Sequence, residues 1–201
     1  SVKIPSQGLD LPITAINLKS GKQISFAVFQ GLTFVQQAYD GESAWGTNQM
    51  TMKPEKQDNE ATENLKRTFA EFPDPFLNYK EKGFSVELMG TETVDGTETF
   101  KIKLIKTPVL VDGKEEENVS YYYFDKENFV PIMIENTAKA GPMKGTTTMS
   151  YLSDYQEMNG LVFPLTTDVK FNGQSFQTVT LQKIEINPTV EDRAFSMPTG
   201  N

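Results

Sequence analysis

Apolar and polar residues alternate through most of this chain, with the two-residue period of a strand that has one covered face. Thr99 to Lys106 shows it most clearly: Phe100, Ile102 and Leu104 fall on one side, Lys101 and Lys103 on the other. Gln23 to Phe29 sets Ile24, Phe26 and Val28 against Ser25 and Ala27. Leu161 to Phe171 sets Leu161, Phe163, Leu165, Val169 and Phe171 on one face. Further strands are predicted for Ser1 to Pro5, Leu11 to Lys19, Leu32 to Tyr39, Ser43 to Met52, from Phe84 onward, and for Val119 to Phe124, Phe129 to Lys139 and Thr146 to Glu157. Tyr121-Tyr122-Tyr123-Phe124 is apolar on both faces, which predicts a strand covered on both sides. In Gln174 to Ile186 the apolar phase switches between Leu181 and Ile184, which predicts a bulge. The tail Val190 to Met197 is expected to pack back through Phe195.

Five Asp-Gly or Asn-Gly pairs punctuate these runs, at residues 40, 95, 112, 159 and 172. Asp and Asn tolerate the left-handed backbone of tight hairpin turns, and Gly adopts it without steric cost. The expected fold is therefore a large antiparallel sheet built from sequential hairpins. Only one stretch departs from the period of two. Ala61, Leu65, Phe69 and Phe72 recur at helical spacing, with Glu60 and Glu63 where carboxylates favour the helix dipole. This predicts a helix over Asn59 to Phe72. A second is predicted over Asp74 to Lys82, with Asp74 as N-cap, Pro75 in the first turn and Gly83 as the stop.

A chain of 201 residues with 14 Phe, 7 Tyr and 1 Trp can build a single-domain core, and no linker or repeat divides residues 1–201. The net charge of -8, with only Arg67 and Arg193 as arginines, argues against nucleic acid as a partner. No apolar run reaches the ~20 residues of a spanning helix. Without His or Cys, most nucleophilic, general-base and transition-metal designs are closed. Asp40 with Glu42, and Asp154 with Glu157, sit at turns, where carboxylates ordinarily bond backbone amides. Glu115-Glu116-Glu117 reads as a solvated hairpin tip. Asp125-Lys126-Glu127-Asn128 lacks the Gly and the terminal Glu of a calcium loop. We therefore expect no catalytic residue, no metal and no cofactor.

Phe29-Gln30-Gly31-Leu32 through Asp40-Gly41-Glu42-Ser43-Ala44-Trp45 resembles the "FQG…vq.fDGe..W" stretch of periplasmic outer-membrane lipoprotein-sorting proteins of the LolA/LolB-like fold. Leu77 to Gly83 leading into Val86-Glu87-Leu88 is similar to the same family. So are Tyr123-Phe124-Asp125 with Val130-Pro131, Ser153-Asp154-Tyr155 with Asn159-Gly160 and Phe163-Pro164, and Ile184 to Pro188 with Phe195. The resemblance implies a curved antiparallel half-barrel, mainly β, with two or three short helices across its concave side. It also implies a signal peptide and a first helix ahead of the residues present here, and hence a periplasmic location. The family's carrier holds its helical lid with a strand arginine, whereas neither arginine of this chain falls on a predicted strand.

On this footing the expected function is a monomeric, non-catalytic carrier or binding protein for a lipid or a lipoprotein acyl chain. Export proteins of the inner or outer membrane are its further expected partners. The alternative is an envelope interaction or lipid-sensing module whose interior is filled by its own side chains. The cavity lining expected from the strands is Phe26, Val28, Phe34, Trp45, Met133, Met149 and Tyr151. From the helical region, Leu65, Phe69, Phe72 and Phe76 are expected to close it. Methionines on strands, including Met89, would adapt such walls to different acyl chains. Trp45 is expected to lie beneath the helices.

Overall fold

Four of the five Asp-Gly and Asn-Gly pairs form the turn their chemistry favours. In the computed structural model, which describes residues 1–140 and 143–198, both residues of the pairs at Asp95, Asp112, Asn159 and Asn172 have positive φ. This is the requirement of the two-residue turn whose twist matches its strands. Asp40-Gly41 works differently. The Asp40 carboxylate accepts hydrogen bonds from the Glu42 and Ser43 amides, both at 2.9 Å, and so closes its loop by a side chain.

The strands are β1 (Val2–Ile4), β2 (Leu9–Leu11), β3 (Ile13–Asn17), β4 (Gln23–Phe29), β5 (Leu32–Tyr39), β6 (Ala44–Thr47) and β7 (Pro54–Lys56). After helix α1 (Asn59–Phe69) come β8 (Ser85–Val94), β9 (Thr97–Val111), β10 (Lys114–Asp125) and β11 (Pro131–Thr137), then β12 (Thr147–Met158), β13 (Leu161–Phe171) and β14 (Gln174–Thr180). The contacts divide the chain into two compact units. One joins Ser1–Asp10 to Phe76–Lys183; the other joins Leu11–Pro75 to the described residues from Ile184 onward.

The first unit holds a nine-stranded sheet in the order β2-β1-β14-β13-β12-β11-β10-β9-β8, open at both edges. The ladders from β8 to β14, and from β14 to β1, are antiparallel. Its long central strands β9 and β10 are joined by the Asp112-Gly113 turn, and their ladder carries one bulge between Glu116 and Asn118. Tyr123, at 1% exposure, packs with Val94 and Met133. On β12, Tyr155 donates its hydroxyl to the Pro131 carbonyl, and burial pushes its phenol up to about 12. A phenol whose folded pKa lies above the unfolded value of ~10 contributes stability fully below pH ~10, which is lost as pH rises toward 12. Tyr155→Phe should therefore make the alkaline fall in stability shallower between pH 10 and 12, as read by denaturant midpoints. An unchanged slope would show that Tyr155 titrates alike in both states.

The second unit holds β3-β4-β5-β6-β7 in sequence order. The tail returns to this sheet, as its Phe195 predicted: Phe195 is fully buried against Ile24, Val35, Ala38 and Trp45. The Trp45 indole Nε1 donates to the Phe195 carbonyl at 2.7 Å. Ala44, the next residue along β6, points to the opposite face and packs with Tyr39 and Leu65 of α1. The helix therefore covers the face that Trp45 does not. Trp45 is buried beneath the C-terminal tail, not beneath the helix.

Two further expectations change. Helix α1 starts as predicted, its N-cap Asp58 accepting from the Ala61 amide at 2.7 Å, but it ends at Phe69. The segment Asp74 to Lys82 is a run of turns, not a second helix. Asn78 sits in the left-handed region (φ 54), and the Glu81 and Lys82 amides both turn back to its carbonyl. One α-helix thus stands among the described residues where two were expected. At the other end, β14 stops at Thr180. The phase switch between Leu181 and Ile184 marks where the chain leaves the first unit, not a bulge within a strand.

Candidate functional site

One face of the first unit's sheet is apolar, and register explains why. Leu88 of β8 lies opposite Ile102 of β9, which lies opposite Tyr122 of β10; Phe100 lies opposite Phe124. Alternation carries all of these side chains to one face. The turns after Pro75 bring Phe76 onto it, with its ring edge-on to Tyr122 at 4.8 Å and to Phe124 at 5.3 Å. The loop after β10 adds Phe129, whose ring lies nearly parallel to Phe100 at 6.4 Å. Between them runs an open groove of about 510 Å³, lined by Phe76, Val86, Leu88, Phe100, Ile102, Phe124 and Phe129. That volume is in the range of small-molecule sites. None of the seven side chains carries a charge or a hydrogen-bonding group.

The opposite face has another chemistry. Lys101 Nζ lies over the Tyr121 and Tyr123 rings at 5.3 and 5.0 Å and pairs with Glu92 at 3.0 Å. Tyr123 donates its hydroxyl to Glu135 at 2.9 Å. The Tyr123 oxygen, opposed by partial burial and reinforced by Glu92, holds the Lys101 ammonium above the usual lysine range. The Tyr123 phenol itself is raised, by burial first and by Glu135, against the pull of Lys101. Lys170 Nζ caps the Tyr151 ring at 4.1 Å. A depression of about 230 Å³ on this face is lined by Lys103, Glu117, Tyr121, Glu135 and Lys139 among others. Four charged side chains and a phenol in so small a space suit polar ligands, not hydrocarbon.

The residues expected to line a cavity fall into separate places. In the first unit only Phe76 lies in the apolar groove. Met133 and Tyr151 pair across β11 and β12 on the tyrosine-lysine face, where Met149 opposes Glu135. In the second unit Phe26 packs beside Trp45 in the tail-covered core. Leu65 belongs to the opposite face, and Phe34 alternates with the buried Val35. Phe69 stacks on Phe72 at 5.3 Å, and Val28 is half exposed near a hairpin tip. The groove residues that sequence reasoning left out are Val86, Leu88, Phe100, Ile102, Phe124 and Phe129. The alternation of Phe100 with Ile102 was their signal.

The turn carboxylates act as caps. Burial works against ionisation of Asp40, but the hydrogen bonds from Ser43 and Glu42 outweigh it and hold its carboxyl below the usual range. Asp125 is likewise held low, by the Glu127 amide and the Asn128 side chain. Among the described residues no group of three or more Asp or Glu side chains is placed to hold a metal. No helix among them is long and apolar enough to cross a membrane.

Neither family models nor curated proteins match this sequence. Solved structures do match the fold. An outer membrane lipoprotein-sorting protein domain from Vibrio parahaemolyticus superposes with a TM-score of 0.55 at 11% identity, over 92% of this chain and 80% of its own. A LolA superfamily protein from Nitrosomonas europaea gives 0.57 at 12%, over 97% and 86%. A DUF1329 family protein from Desulfovibrio piger gives 0.57 at 12%, over 97% and 85%. At these identities the likeness is one of fold, and it spans nearly the whole chain: the protein has a mainly β, LolA-like fold.

Proposed function

We propose that this protein is a non-catalytic carrier or binding protein for an apolar ligand, a lipid or the acyl chain of a lipoprotein. The observation that carries this reading is the apolar groove on the β8-β9-β10 face, where seven uncharged side chains leave about 510 Å³ open. An acyl chain laid there would remove apolar surface on both sides from water, at about 25 cal/mol per Å² before ordering costs. The likeness to a lipoprotein-sorting domain supports the same reading. In it the chain is a single LolA/LolB-like domain. It works as a periplasmic monomer delivered by a signal peptide, with membrane export proteins as its partners. Met133, Met149 and Tyr151 then serve the first unit's sheet, and Phe26, Phe34, Trp45, Leu65, Phe69 and Phe72 the second unit's own packing, more than the contact with cargo.

Mass spectrometry of organic extracts from protein purified without detergent tests the proposal. Acyl lipids should be recovered in near-stoichiometric amount, and delipidated protein should take up a hydrophobic fluorophore. Protein that yields no lipid and binds no fluorophore would favour the interaction module with a filled interior.

A further inference from the structure

Phe129 stands in an unusual backbone. Its φ is +56, and it is the one aromatic residue among the described non-glycine positions of positive φ, most of which are Asn or Asp. For a bulky side chain this is a true outlier, and such strain persists where the surrounding structure imposes it, often at ligand clamps. Here the surroundings are plain. The Asp125 carboxylate accepts from the Glu127 amide at 2.8 Å and from the Asn128 side chain at 2.7 Å. The Phe129 amide closes on the Asp125 carbonyl, and the Asp125 amide on the Val130 carbonyl, both at 2.9 Å. Asn128 would have filled the left-handed position easily; Phe129 occupies it instead. The ring gains little burial in return, since it is 67% exposed. What it does is lie parallel to Phe100 and form a wall of the groove.

The groove also limits what that wall can hold. A methylene fills about the ~30 Å³ share of one water molecule, so about 510 Å³ accommodates on the order of 17 methylenes. That matches one long acyl chain. Nothing in the lining recognises a head group. One cation beside it, Lys126, lies over the Phe100 ring at 5.6 Å and is already paired with Glu98 at 3.4 Å.

Resting on the carrier reading, we infer that the groove takes one acyl chain per protein, whatever its head group, and that Phe129 is the clamp that retains it. Delipidated protein is titrated with palmitate, hexadecanol, palmitoyl-lysophosphatidylcholine and a dipalmitoyl phospholipid. The three single-chain ligands should bind one per protein with affinities within a few-fold of one another. The two-chain lipid should bind no tighter. Phe129→Gly should weaken palmitate by about tenfold, the loss of one good contact, while its melting temperature stays level or rises as the strain is relieved. Two or more chains per protein, strong preference for one head group, or Phe129→Gly with wild-type affinity would overturn the inference while leaving the carrier reading in place. A wild type that binds none of the four ligands would remove the carrier reading as well.

Discussion

Phe195→Ala is expected to destabilise the protein by about 3–5 kcal/mol, the range for deleting a buried aromatic ring. Phe195 has no exposed surface and closes the second unit's core against Ile24, Val35, Ala38 and Trp45. The loss should propagate further than one ring. The carbonyl of Phe195 accepts the Trp45 indole hydrogen bond, and a tail that loosens leaves that buried donor without its partner. Trp45 is the single tryptophan, so its emission reports the event directly. It should be blue-shifted in the native protein, at 2% exposure, and should move to the red at lower denaturant in the variant. A penalty below about 1 kcal/mol would mean that the site collapses around the cavity or that the tail does not seal it.

The second large effect falls on binding and spares stability. Leu88→Glu places a carboxylate in the groove beside Ile102, on an edge strand where Leu88 is already 61% exposed. An exposed substitution of this kind shifts stability by only about 0.5 kcal/mol. With a chain laid over it, however, the carboxylate must either lose water without a partner or push the chain away, at a cost of several kcal/mol. Uptake of a hydrophobic fluorophore should fall by at least tenfold, since ~1.4 kcal/mol already corresponds to that factor. Leu88→Met should bind like wild type. Equal uptake by Leu88→Glu would place the ligand elsewhere, and the tail-covered core of the second unit would be the next location to probe.

The groove shows how far a period of two can be read. Phe100, Ile102 and Leu104 declared one apolar face, but the Asp112-Gly113 turn brings Phe124 opposite Phe100 only with the bulge between Glu116 and Asn118, which shifts the register by one residue. The residues that complete the site come from segments without a period. Phe76 packs on Tyr122 from a run of turns, with Asn78 left-handed, in a stretch whose N-cap, Pro and Gly spell a helix. Phe129 reaches Phe100 only through the hydrogen bonds of the Asp125 loop. Methionines such as Met133 and Met149 matched a flexible cavity wall in type, yet register sends them to the face carrying Tyr151 and Lys170.

Local chemistry was therefore enough for most of the strands, though not for β2 or β7, and for four of the hairpin turns, the start of α1 and the return of the tail through Phe195. Each of these depends on the backbone preference of one or two residues or on a repeat within one element. Long-range pairing decided the rest. Whether Ala44 or Trp45 faces the helix is settled by one residue of register, because a shift of one exchanges the faces of a strand. Where β14 ends goes with the point at which the chain passes to the second unit, whose sheet the tail covers through the buried Phe195. Alternation names two faces of a strand without saying which one another segment will cover. Here Phe76 and Phe129 only partly cover the face of Phe100 and Ile102, and the groove is the part they leave open.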